Sequence, residues 1–429
     1  MNKRSLIVLS IFSSLCLPFV GVAAAELPAG VFQMKDGSYF HPGSNTIKPT
    51  IEELLQVIGP LPPASITTES VESIPSEPVA TPIERAIERA RALLQPKLTE
   101  HISAEDSDWK QVELILWNKE TDALRSVTVR KNGTKLQAVQ GDISGIRVTF
   151  ANGVNSAYAS DKGEVVIAVR YPIAVSIGSK KKPSYKNTDV IYAPYSAAVH
   201  QPDVVLAGST YVDKVYEQVF ERLKHSSAHS KAFPEKTLAE ATDLELAKLI
   251  LMIEHVDNTS VQADALRQVE RFLVIMALNK EDAYDYSRSS AGALGLVQFI
   301  PTTYASMVRL YPDLQLEPDF EKAMRDPVNA LTAQVVYLDY LLAQFPKETR
   351  NRAHLFPSFT QEIVAAAYNG GPARVKKAMV VWEENLDPAE RLHVLERSRL
   401  KKETMQYVTK LRLVRPALMR HVQMALAAK

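Results

Sequence analysis

The sequence predicts a multidomain α+β chain in which an antiparallel β module is followed by an all-α domain. Three observations carry that prediction. Between about Trp109 and Val199, β-branched residues alternate with polar ones at a period of two, and Asn-Gly pairs separate the runs. From Tyr211 onward the apolar spacing becomes helical, and before residue 100 it is broken by prolines. At 429 residues, 46% hydrophobic and 23% charged, the chain is longer than one ordinary domain and has a common globular composition. The pattern divides it into 1–25, 26–100, 101–205 and 206–429.

Residues 1–25 read as a secretory signal peptide: Lys3 and Arg4, an apolar run from Leu6 to Val22, then Ala23-Ala24-Ala25 before Glu26. Cleavage is expected after Ala25, which directs the protein to the periplasm or outside the cell. The single cysteine, Cys16, lies inside this segment behind Leu15, where a lipoprotein signal needs a small residue. Cleavage therefore leaves no thiol, which excludes disulfides, cysteine nucleophiles and thiolate metal sites. A formal net charge of +1 gives no expectation of nucleic-acid binding or strong membrane attraction.

From Glu26 to about Pro96 the chain is irregular and Pro-rich, and Ser65 to Ala80 reads as a linker. A short helix is expected over Ile51 to Val57. A clearer amphipathic one runs from Ile83 to Leu94, with Ile83, Ile87, Ala90 and Leu94 on one face to pack against the next domain. Strands are expected at Val112–Trp117, Ser126–Lys131, Gly145–Phe150 and Glu164–Tyr171, with hairpin turns at Asn132-Gly133 and Asn152-Gly153. Lys180-Lys181-Lys182 with Pro183, Tyr185 and Lys186 reads as a basic loop, solvated or facing anionic wall polymers. Nothing in the module's own residues names its role.

The helical part holds the candidate chemistry. Phe272, Leu273, Met276 and Ala277 are spaced for a helix over Gln262 to Lys280, which puts Glu281 at its C-terminal end. Helix-end carbonyls and an apolar preceding turn both oppose ionisation of a carboxylate there, as a general acid requires. Ser287 to Ser290 then breaks the helix, Gly292 and Gly295 permit close backbone approach, and Pro301 suits the first turn of the next helix. Glu254 in Leu251–Asp257 is also an acid after an apolar helical run, but it lacks this context in sequence and ranks below Glu281. The nine histidines show no helical His-x-x-x-His pair, so no metal site and no cofactor are expected.

At these residues the sequence resembles the catalytic domain of the soluble lytic transglycosylases, goose-lysozyme-like enzymes that cleave peptidoglycan. The matching residues are Glu281, Tyr284, Ser289, Gly292-Ala293 and Gly295-Leu296-Val297-Gln298 followed by Pro301-Thr302-Thr303. Further blocks follow in the family's order: Asp326-Pro327-Val328-Asn329 leading to Tyr337-Leu338, Ala367-Tyr368-Asn369-Gly370-Gly371, and Glu403-Thr404 with Tyr407-Val408. They cover roughly the last 160 residues. Two departures stand out. Asp282 occupies the family's usual serine position, and the segment from Glu281 to Gly292 is one residue shorter than the commonest pattern. Leu310 to Glu321 reads as an inserted loop that extends the groove.

The resemblance implies a lysozyme-like all-α catalytic domain and one-acid chemistry. A glutamic acid protonates the β-1,4 bond between N-acetylmuramic acid and N-acetylglucosamine. Its carboxylate then takes the C6 hydroxyl proton as that oxygen closes on C1, leaving a 1,6-anhydro end. Carried over, Glu281 is the acid and base, while Gln298, Tyr368, Asn369, Tyr284 and Ser289 line the substrate site. For Gln298, an amide holding the Gly292–Gly295 turn is an equal alternative; Glu403 and Tyr407 read as packing. A lysozyme-like hydrolase would need a second acid such as Asp282 or Asp285, and a non-catalytic wall-binding scaffold would keep the groove alone. The expected partners are peptidoglycan glycan strands. The β module is open to two uses, contact with the wall or with other cell-envelope proteins.

Overall fold

The computed structural model describes residues 32–33, 39–40, 81–94, 109–176, 185–289, 291–351, 357–379 and 400–427. The expected signal peptide, the helix over Ile51 to Val57, the linker from Ser65 to Ala80, and Lys180 to Pro183 of the basic loop lie outside them. Residues Met1–Pro75 and Ser76–Lys429 form two compact units. In the first, strands β1 (Phe32–Gln33) and β2 (Tyr39–Phe40) pair antiparallel, Phe32 opposite Phe40.

The second unit opens with helix α1 (Pro82–Leu93), whose start is written in its first residues. The Thr81 hydroxyl accepts from the Glu84 amide at 3.1 Å, and the Glu84 carboxylate accepts from the Thr81 amide at 2.8 Å. Such a reciprocal cap satisfies two amides that a helix start otherwise leaves without partners. Ile83, Ile87, Ala90 and Leu94 are buried as their spacing predicts, and α1 packs on the sheet through β8, described next.

The β module consists of β3 (Lys110–Asn118), β4 (Leu124–Asn132), β5 (Lys135–Gln140), β6 (Ile146–Phe150), β7 (Ala157–Ser160), β8 (Glu164–Ser176) and β9 (Tyr185–Tyr192). Five strands make one antiparallel sheet in the order β5-β4-β3-β8-β9, and β6 and β7 form a separate hairpin. Gly133, with φ of +56°, supplies the left-handed residue that the β4–β5 turn needs. Val112 faces Val129 and Leu114 faces Val127 across β3 and β4, and all four are buried.

Helices then follow to the end of the described chain: α2 (Pro202–Ser226), α3 (Leu238–Ala241), α4 (Leu244–Ile253), α5 (Asn258–Ala263), α6 (Ala265–Asn279), α7 (Pro301–Leu310), α8 (Phe320–Arg325), α9 (Pro327–Ala343), α10 (Lys347–Asn351), α11 (Pro357–Gly370), α12 (Pro372–Met379) and α13 (Lys402–Ala427). The helix expected over Gln262 to Lys280 is two. The Asp264 side chain accepts from the Arg267 amide and caps a fresh start, so the chain breaks between α5 and α6. Long α2 lies against α6 so closely that a β-carbon on Gly208 would stand 1.9 Å from the Leu273 carbonyl oxygen. The segment expected as an inserted loop is tied down: Arg222 donates to the Leu314 and Gln315 carbonyls at 2.8 Å, and Tyr304 donates to the Glu317 carbonyl at 2.5 Å.

Sheet and helices share one hydrophobic core from Ile83 to Leu418. Asn279, 2% exposed at the end of α6, makes the polar joint between them. Its side chain accepts from the Ala193 amide at 2.8 Å and donates to the Ala193 carbonyl at 3.0 Å, closing the chain after β9 onto α6.

Candidate active site

Tyr407 of the last sequence block reaches the C-terminal end of α4 at Glu254, with the Gly-Leu-Val-Gln turn and Tyr368 packed beside it. Helix α4 reads LELAKLILMI; its apolar residues bury it, and its Asp243 cap fixes the start. Glu254 follows as the C-terminal cap, where chain carbonyls already oppose negative charge. From α13 the Tyr407 hydroxyl donates to the Glu254 carboxylate at 2.6 Å. Lys410, one turn further on, donates to the Ile253 and Val256 carbonyls at 2.6 and 3.0 Å, clamping the backbone on both sides of the acid. Tyr368 on α11 stacks on Tyr407, centroids 6.4 Å apart, and its hydroxyl donates to the Val297 carbonyl at 2.8 Å. Gly370 brings α11 against α13, since a β-carbon there would meet the Thr404 hydroxyl at 2.7 Å.

Glu254 is enclosed by these neighbours yet keeps part of its surface open to solvent. Its carboxyl is pushed up to about 7: desolvation dominates, the Glu403 charge adds to it, and the Tyr407 hydrogen bond and Lys410 ammonium oppose it. A carboxyl near that value is about half protonated at neutral pH, against roughly 0.2% for an ordinary glutamate. Burial lowers Lys410 in turn. His255, held down at about 4 by burial, bonds through Nε2 to the Leu296 carbonyl at 2.6 Å. A carbonyl only accepts, so the neutral ring carries its proton on Nε2 and fastens the end of α4 to the Gly-Leu-Val-Gln segment.

That segment is a tight turn rather than a helix. Gly292 and Gly295 have φ of +83° and +71°, and a β-carbon on Gly295 would lie 2.8 Å from the Met324 carbonyl. Gln298, itself at φ +50°, donates through Nε2 to the Gly295 carbonyl at 2.7 Å and the Ser287 carbonyl at 3.2 Å. Of the two readings of Gln298, the turn-holding amide is the one its donors serve. Ser289 is exposed and its hydroxyl accepts from the Ala293 amide at 3.0 Å, closing the same turn.

Glu281 lies elsewhere in its surroundings. It sits in the 3-10 turn Lys280–Asp282 beyond α6, as the helix-end expectation required. However, its side chain is exposed, and it forms no hydrogen bond or ion pair among the described residues. Lys280, just before it, has φ of +47°. Its neighbour Asp282 is bound to Arg91 of α1 at 2.8 Å, and Arg91 also donates to the Asn279 side chain at 2.9 Å. Asp282 therefore tethers α1 rather than sharpening an acid. Asp285 is half-buried, raised by burial and opposed by Arg325, which stands 3.6 Å away.

Tyr284, expected at the substrate, is a core residue. It is 5% exposed with φ +62°, and its ring stacks on His255 with centroids 3.7 Å apart and on Phe272 at 5.8 Å. Through that stack it braces the residue beside Glu254. Asn369 is exposed at the end of α11, where its side-chain oxygen accepts from Thr404 at 3.0 Å. Tyr368 is half-buried among Phe299, Tyr337 and Tyr407. Tyr407, read as packing, touches the acid directly, and Glu403 bears on it through charge. The signal for Glu254 was present as an apolar helix ending in Glu-His. What linear reading lacked was the return of α11, α13 and the glycine turn to that helix end.

Residues 262–382, in the C-terminal part of the chain, match the family model described as Transglycosylase SLT domain, consistent with a lytic transglycosylase catalytic domain. The match spans Glu281, Gln298 and Tyr368 and begins after Glu254. No curated protein matches the chain.

Proposed function

From the premise that residues 262–382 carry a transglycosylase SLT domain, we propose that the protein is a peptidoglycan lytic transglycosylase with Glu254 as its acid and base. The observation that supports Glu254 is its enclosure by Tyr407, Lys410 and the Tyr368 wall, where its carboxyl sits near 7. A single group at that value serves both halves of the reaction. Protonated, it donates to the glycosidic oxygen between N-acetylmuramic acid and N-acetylglucosamine as positive charge develops at C1. Ionised, it takes the proton from the muramic C6 hydroxyl while that oxygen closes on C1, giving the 1,6-anhydro end without water.

Tyr407 stabilises the carboxylate formed between the two steps, and the half-buried face of Tyr368 offers a flat surface to a pyranose. Asn369, exposed at the end of α11, would donate its amide hydrogens to the sugar. A hydrolase would need a second carboxylate to hold water, and the two acids expected for it, Asp282 and Asp285, face Arg91 and Arg325 instead. The substrate lies beyond the cytoplasmic membrane, which agrees with the export signal expected at residues 1–25.

Digestion of purified peptidoglycan, with products resolved by mass, tests the assignment. The parent and Glu281→Gln should release anhydro-muropeptides at comparable rates, while Glu254→Gln should lose at least about a hundredfold, the scale of a lost general acid. Activity in Glu254→Gln, or its loss in Glu281→Gln alone, would return the acid to the matched segment. Reducing-end products would identify a muramidase.

A further inference from the structure

The β module contains a pair of lysines that face no counterion among the described residues. Lys110 on β3 and Lys131 on β4 stand directly opposite each other in the ladder. They continue the row of Val112 opposite Val129 and Leu114 opposite Val127, so both belong to the face of the sheet that packs the core. Lys131 is only 3% exposed, and Lys110 is half-buried. Their ammonium groups share one ring, lying 5.3 and 5.8 Å from the centroid of Tyr171 on β8.

Like charges facing each other across a ladder repel, and a buried charge without a counterion is costly. Tyr171 offsets part of that cost through its π face. No carboxylate does: among the described residues neither side chain forms an ion pair or a hydrogen bond, and burial and then the Lys110 charge both disfavour the Lys131 ammonium. Two arginines of the same sheet are matched. Arg170 is matched to Glu113 at 2.5 Å and Asp189 at 3.5 Å, and Arg125 to Glu164 at 2.6 Å. Two unmatched lysines over an aromatic floor form a receptor for the charge they lack.

We propose that Lys110, Lys131 and Tyr171 form a binding site for a compact oxyanion, a carboxylate or phosphate group held between the two ammoniums. Such a group removes the repulsion across the ladder and compensates the buried cation. Two sources present that chemistry to an envelope protein: free phosphate, and the peptide-stem carboxylates of the wall. A wall carboxylate would make the β module a second point of attachment beside the cleavage site. Binding here is independent of turnover, so it stands or falls apart from the role of Glu254.

Thermal unfolding and calorimetry of the purified protein test the site, with inorganic phosphate in one arm and a soluble disaccharide-peptide from digested wall in the other, both against chloride at matched ionic strength. The parent should show saturable binding and a Tm that rises with the anion. Lys131→Met should raise Tm without anion, because it removes an unmatched buried charge, and should abolish the anion-dependent rise. Lys110→Met, at the more exposed position, should weaken binding at least tenfold with the fold intact. A response in one arm only identifies the source. Equal anion responses in parent and Lys131→Met, or a lower anion-free Tm in Lys131→Met, would overturn the site.

Discussion

Tyr407 shows how much a single hydroxyl governs at the site. It donates to Glu254 at 2.6 Å and stabilises the ionised form, working against the burial that pushes this carboxyl up to about 7. Removing the hydroxyl leaves desolvation and Glu403 opposed by Lys410 alone, so the carboxyl must rise further. The first step of the proposed reaction needs the protonated acid, and activity therefore falls as pH rises through that value. In Tyr407→Phe the alkaline limb of the pH–activity profile should move upward by about one unit, the worth of one charge-assisted hydrogen bond. An unshifted limb would detach Tyr407 from the acid. The same scale explains the fate of Tyr284, Ser289 and Gln298: their residue types suit a sugar site, but stacking and turn hydrogen bonds engage them within the fold.

Among the elements, α2 and α6 set the frame that the site hangs on. Helix α6 leads from the Asp264 cap to the Asn279 joint, and its burial against α2 depends on Gly208. With a β-carbon placed 1.9 Å from the Leu273 carbonyl oxygen, Gly208→Ala forces the two helices apart. Overpacking against rigid backbone costs about 1–3 kcal/mol or more. A lowered denaturant midpoint with an unchanged slope is the expected result, and an unaltered midpoint would mean that the contact is looser than it stands. Sequence periodicity located these helices well, because an amphipathic stripe is a local pattern. Their ends were harder: the break at Asp264 depends on a side chain choosing the Arg267 amide over continued helix.

Across the whole molecule, the sheet and helices act together through Asn279, Arg91 and Asp282. Arg91 reaches from α1 to both other residues, while Asn279 holds Ala193 after β9. Asn279→Ala strands the buried amide and carbonyl of Ala193, at about 1–3 kcal/mol per orphaned group. The expected outcome is a Tm lowered by several degrees with the pH–activity profile retained; a profile that moves with Tm would show the joint to be part of the site. Asp282, a departure from the family pattern in sequence, is accounted for at this scale as the α1 anchor.

The α+β order, the sheet's hairpins, the amphipathic α1 and the resemblance of the C-terminal blocks were determined by the sequence itself, because periodicity, turn residues and caps act over a few neighbours. Only the tertiary structure decided which glutamate is enclosed. Glu281 and Glu254 look alike in a line, each an acid after an apolar helix. Desolvation is a property of what surrounds a carboxylate in space, and the residues that surround Glu254 arrive from more than a hundred and fifty positions away in Tyr407. The lysine pair was equally invisible, since Lys110 and Lys131 meet only through the register of β3 on β4.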